Sequence, residues 1–193
     1  MARITALSRR ISATIHACRS SRRFLPLDSV NRVNLTLVAV LIAAPFPVSA
    51  RESLGIYSTW GAFHDPAVPR CYAIAKAVPG TLRRDYQPFA TIGTWPQRQI
   101  RNQVHFRLSR KLAEGGRITL TIGRERFRLT GGGGDAWAAD RRMDAAIVAA
   151  MRSSPRMTVF ARDAAGRNFS DSWELAGAAS AMDAAAIGCA RLR

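Results

Sequence analysis

DRRMDAAIVAAMRSSPRMTVFARDAAGRNFSDSWEL, residues 140–175, contains the changes of period that decide the fold. Met143, Ile147, Val148 and Met151 recur at helical spacing behind Asp140, whose side-chain oxygen can cap the free amides of a first helical turn. Ser153-Ser154-Pro155 ends that helix, because proline lacks an amide donor and biases its predecessor towards extended backbone. From Met157 the period falls to two, with Met157, Val159 and Ala161 on one side. Ala165-Gly166 then turns the chain, and Asn168 to Leu175 pairs back as a second strand.

Working back, the middle of the chain repeats the strand signal. Val104, Phe106 and Leu108 alternate with His105 and Arg107, and Ile118, Leu120 and Ile122 follow the turn at Glu114-Gly115-Gly116. Gly123-Arg124 turns again, and Phe127 and Leu129 resume the apolar phase. Alternation with turns this close argues for an antiparallel meander with one buried and one wet face. Gly131 to Gly134 lacks the lysine and hydroxyl of a phosphate loop and the spacing of a dinucleotide fingerprint, so it is expected to be a flexible connection.

Nearer the front, residues 51–60 suggest a loop and a short strand ending at Trp60, and residues 61–69 a turn-rich connector. Cys71, Ala73 and Ala75 alternate with Tyr72 and Ile74 in a strand, and residues 88–95 form another. After Gly177 an alanine-rich stretch is most simply a C-terminal helix carrying Cys189 towards the body. The expected class is therefore mainly β. A single antiparallel sandwich-like or barrel-like domain spans residues 51–193, with one short inserted helix and a C-terminal helix.

Residues 1–50 differ in kind. Seven arginines and one acid, Asp28, precede the apolar run LTLVAVLIAAPFPV at residues 35–48, which closes on Val48-Ser49-Ala50. Basic leader, apolar core and small-x-small end form the layout of a secretory signal peptide cleaved after Ala50. The run is shorter than the roughly 20 residues of a spanning helix, and Pro45 and Pro47 interrupt it, so no transmembrane span is expected in the mature chain. The leader is long for its kind, and a start near Val30 or Val33 is an alternative.

Taking seven basic and one acidic residue from totals of 29 and 13 leaves 22 and 12, a net charge of +10 from Arg51 onward. Lys76 and Lys111 are the only lysines. One meaning is composition and solubility. The sharper one is an anionic partner, since guanidinium forks grip carboxylates and phosphates bidentately. Export makes nucleic acid a poor principal target and leaves acidic lipid, glycan or acidic protein. Arg124, Arg126 and Arg128 share one side of their strand, with Arg141 and Arg142 near in sequence. The commoner meaning of such a stripe is a solvated outer face; the functional one is a binding ridge.

Cys71 and Cys189 are the only cysteines after the leader, and two cysteines in an oxidising compartment usually pair. The rival is a zinc site with His64 and His105, but these four residues lack the close paired spacing of structural zinc sites. No metal and no cofactor is expected. The chain has no nucleophile elbow, no His-Glu-x-x-His and no phosphate loop, so no catalytic residue is assigned and the protein is read as a non-enzyme. Two alternatives stand: a hydrolase-like enzyme using His64 beside Asp65, and a purely structural envelope-stress protein.

Asp144-x-x-Ile147-Val148-x-Ala150-Met151-Arg152, Met157-Thr158-Val159, Gly166 and Asp171-x-Trp173-x-Leu175-x-Gly177, with a small-residue helix after them, resemble the invasion-associated locus B family of alphaproteobacterial exported proteins. Trp60 and Cys71-Tyr72 fit as well. The resemblance implies a small, mostly β protein outside the cytoplasm, linked by name to host-cell entry, so that an envelope or host-surface protein becomes a candidate partner. Members of that family often carry a cysteine shortly after the first Trp, bridged to the next. Here His64 stands at that place, which leaves Cys71 free for Cys189.

Overall fold

The computed structural model describes residues 50–81 and 83–190, so the expected leader lies outside the described residues apart from Ala50. Ten strands form one open antiparallel sheet: β1 (Glu52–Tyr57), β2 (Trp60–Asp65), β3 (Arg70–Lys76), β4 (Phe89–Trp95), β5 (Ile100–Arg107), β6 (Ile118–Ile122), β7 (Glu125–Gly132), β8 (Asp135–Trp137), β9 (Arg156–Arg162) and β10 (Asn168–Glu174). Their spatial order is β1-β2-β3-β4-β5-β8-β7-β6-β9-β10. Helices α1 (Arg141–Ser153) and α2 (Ala178–Ala190) complete the domain, in the inserted and C-terminal places expected.

The sheet folds over at β7. Residues 125–129 of that strand pair with β6, and residues 130–132 pair with β8. The two halves then face each other across one core. Phe106 of β5 meets Trp173 of β10 with ring centroids 5.3 Å apart. The indole N–H of Trp60 donates to the Glu174 carbonyl at 2.8 Å, and the Val78 amide donates to Ser172 O at 2.8 Å. The ends of the sheet approach, yet among the described residues no strand ladder closes it.

Three expectations need correction. β5 and β6 are not neighbours, so the middle strands are not a simple meander. The chain between them is tied elsewhere: Leu108 and Leu112 donate to Gly134 and Gly133, and Ala113 donates to Arg162. It therefore crosses to the far side before β6 begins. Residues 60–65 are a strand rather than a connector, and Trp60 opens it; Gly61 and Ala62 hid the alternation by contributing no bulk. Finally, Gly131 and Gly132 end β7, and residues 133–134 make its turn into β8. A Cβ on Gly131 would lie 2.2 Å from Asp135 O, so glycine permits a hairpin too close for any side chain.

α1 begins as its sequence dictates, with the Asp140 carboxylate accepting from the Met143 amide at 2.8 Å. Ile147, Val148 and Met151 enter the core, as expected, together with Asp144. That carboxylate accepts the Val104 amide of β5 at 2.8 Å, beside the point where the β5–β8 pairing stops at His105↔Trp137. A helix side chain thus does the work of a missing strand. Asp171 does the same for the Ser109 amide, also at 2.8 Å.

Burial pushes the Asp144 carboxyl above the usual carboxylate range; the Val104 amide opposes this and Asp140 adds to it. A raised folded pKa means that the native state holds its proton more tightly. Stability from this group is therefore full below the ordinary Asp value of about 3.9 and is lost as pH rises through the folded pKa. Asp144→Asn keeps an acceptor without the charge, so its urea stability is expected to match or exceed wild type at pH 7, with any advantage shrinking towards pH 4. Asp144→Ala orphans a buried amide and should cost about 1–3 kcal/mol at both. An Asn variant as damaged as the Ala variant at pH 7 would show that the charge itself is needed.

α2 buries Ala178, Ala181, Met182, Ala185 and Cys189 against β1 to β4. Small side chains let its backbone come close, and Cys189 is bonded to Cys71 of β3 with Cα atoms 5.6 Å apart. The zinc alternative is thereby overturned, since both sulfurs are spent. The entry to α2 leaves no room for a side chain. Gly177 has φ +86°, and a Cβ there would stand 1.9 Å from the Tyr57 carbonyl oxygen.

Candidate anion-binding face

Strand alternation turns Thr119 and Thr121 of β6, Arg126 and Arg128 of β7, Thr158, Phe160 and Arg162 of β9, and Ser170 and Ser172 of β10 to the side away from the core. Register then aligns them. Arg126, Thr121, Thr158 and Ser172 are successive cross-strand partners, and so are Arg128, Thr119, Phe160 and Ser170. Opposed side chains of this kind stand about 5 Å apart. Arg117 precedes β6, and Arg124 lies in the β6–β7 turn; both are exposed.

Among the described residues no ion pair neutralises the positive charge here, although exposed Glu125 stands between Arg124 and Arg126 in the chain. Asp65, Asp135, Asp163, Glu174 and Asp183 each hold one or more arginines elsewhere. Asp85, Asp144 and Asp171 hold backbone amides. Among the described residues, Arg117, Arg124, Arg126 and Arg128 make no ion pair. On the two rows there is no carboxylate at all; Glu174, the next outward residue of β10, is held by Arg156. Asp163 is tied by Arg110 and Arg167 and accepts the Arg167 amide, which holds its carboxyl below the usual range.

Of the arginines expected to act together, Arg124, Arg126 and Arg128 do lie together along one margin of this face. Arg141 and Arg142 lie on a separate element, α1. They are exposed on the first turn of α1, whose apolar residues enter the core chiefly against β5. Sequence reasoning missed Arg117, Arg162, Phe160 and the hydroxyl rows, because only pairing across β6 and β9 makes neighbours of residues some 40 apart.

His64 and Asp65 are not assembled into a site. The His64 ring contacts Glu52 at 3.2 Å, whereas the Asp65 carboxylate lies 3.5 Å from both Arg51 and Arg70. Successive strand residues point to opposite faces. His105, on the outward phase of its strand, is partly covered: it stacks on Trp137 at 5.1 Å, meets Phe89 edge-on, and its Nε2 lies 3.0 Å from Asp135. Arg107 completes the cluster, bonded to Asp135 and resting 3.9 Å over the Tyr86 ring. Thr91 Oγ1 is 3.4 Å from His105 Nδ1, and the group packs on the outer face of β4, β5 and β8.

No described helix is long and apolar enough to cross a membrane. No three His, Cys, Asp or Glu side chains among the described residues gather as a metal site. Comparison with protein families, with curated proteins and with solved structures gives no match.

Proposed function

We propose that this chain is an exported envelope protein of the invasion-associated locus B family that binds an anionic component of the envelope or of a host surface, without catalysing a reaction. The observation that carries the proposal is the unneutralised arginine margin beside carboxylate-free rows. Charges left free on one surface raise the local concentration of an anionic partner and speed its encounter. Export is supported by the leader pattern and by the paired cysteines, which suit an oxidising compartment. The family reading is supported by the places its residues occupy. Asp144 and Asp171 brace backbone amides, Trp173 is fully buried, and Gly177 sits where only glycine fits.

Capture from the envelope extract of the chain's own cell tests the proposal. A defined partner is expected to be retained at low salt and released at high salt, because exposed charges separated by more than about 10 Å are screened at 0.1 M. A partner held through high salt would move attention to the apolar cavity of about 460 Å³ between Ile56, Phe63, Ile74 and Val78. Absence of any partner at either salt would favour the purely structural envelope role.

A further inference from the structure

The geometry points to a ligand class for this face, an inference that rests on the anion-binding reading: we propose that it takes a linear acidic polysaccharide laid across the strands. Each row starts at a guanidinium and continues in hydroxyls, with Phe160 interrupting one of them. The Thr158 and Ser172 hydroxyls lie 2.9 Å apart, so that row is already oriented before a ligand arrives. Phe160 is half exposed in the middle of the face, and no core contact requires a large ring in that outward position.

The rows have room beside their middle and at their β10 end. A depression of about 370 Å³ beside Phe160 is lined by Arg117, Thr119 and Arg162. At the β10 edge a cleft of about 300 Å³ is lined by Arg84, Ser170 and Ser172, with Arg110 and Arg156 at its border already paired to Asp163 and Glu174. The face therefore carries a cationic margin at β7 that leads into a track of hydroxyls and one flat apolar ring.

A uronate polymer matches each part. Its carboxylates suit arginine forks. Its hydroxyls can exchange hydrogen bonds with Thr and Ser, which both donate and accept. The apolar side of a sugar ring can lie on Phe160. A membrane surface fits less well, because interfacial anchoring needs a broad apolar face and this one has a single exposed ring. Single-stranded nucleic acid fits less well too, since its platforms stack successive bases on several aromatics.

The test compares the affinity of the purified full chain for polygalacturonate, polyphosphate, anionic phospholipid vesicles and single-stranded DNA at one ionic strength. Thr119→Val/Thr121→Val removes two hydroxyls while keeping β-branched side chains. It is expected to weaken polygalacturonate about tenfold, roughly one hydrogen bond's worth or a little more, and to leave polyphosphate within about twofold. Phe160→Ala should behave likewise. Thr119→Ser/Thr121→Ser should restore the affinity, which separates a lost hydroxyl from a disturbed fold. Arg126→Ala/Arg128→Ala should weaken both polyanions. If the hydroxyl and ring variants bind polygalacturonate like wild type while the arginine variant does not, the polysaccharide assignment falls and anion binding stands. Tighter binding to vesicles or DNA than to polygalacturonate would also overturn it. An arginine variant indistinguishable from wild type on every probe would remove both readings.

Discussion

Cys71→Ala/Cys189→Ala is expected to lower the unfolding free energy by about 4–5 kcal/mol. The two cysteines are 118 residues apart, and chain-entropy reasoning assigns roughly that much to closing so long a loop. The effect should be felt at α2 first. Apart from Met182, that helix buries alanines and Cys189 itself, and its large apolar Ile187 faces solvent. Little apolar area therefore holds its end once the bridge is gone. Urea unfolding of the oxidised, reduced and doubly substituted proteins measures the loss. With a slope of about 2 kcal/mol per molar urea, the midpoint should fall by roughly 2 M. A fall below about 0.5 M would mean that alanine packing alone docks α2.

Trp60→Ala is the second large effect, expected at about 3–5 kcal/mol. Trp60 is fully buried, and its indole N–H ties β2 to the last strand through Glu174 O. Its loss opens a cavity and releases one of the contacts that bring the two ends of the sheet together. Trp173 supplies the control, because its indole nitrogen is buried with no partner among the described residues. Trp60→Phe loses a hydrogen bond and Trp173→Phe loses none, so the first should be the more costly by about 1 kcal/mol. Equal costs would mean that the Trp60 bond contributes nothing net and that volume alone matters.

How legible each part was follows from the range of the interactions involved. The period change at Pro155, the cap at Asp140 and the alternation of Val104 to Leu108 act within a few residues, and all of them appear in the structure as expected. Strand β2 was hidden because Gly61 and Ala62 fill inward or outward places without apolar bulk. The order of the middle strands was hidden because amides of residues 108–113 are bound by partners up to some 60 positions away. The candidate site was half legible. A stripe on one strand shows in a period-2 reading, so Arg126 and Arg128 were visible with their turn neighbour Arg124. Thr119 beside Phe160 depends on register, as do the partly covered His105 and its Asp135, and no local pattern encodes register.

The salt dependence of binding to the partner captured from the envelope tests the central claim most directly, measured for wild type and for Arg124→Ala/Arg126→Ala/Arg128→Ala. Anion binding through this face predicts that wild-type affinity falls steeply as salt rises. The variant should bind more weakly at low salt, with a flatter slope that brings the two proteins together at high salt. Equal affinity and equal slope would show that the arginines are only a wet outer face and that the partner is held elsewhere.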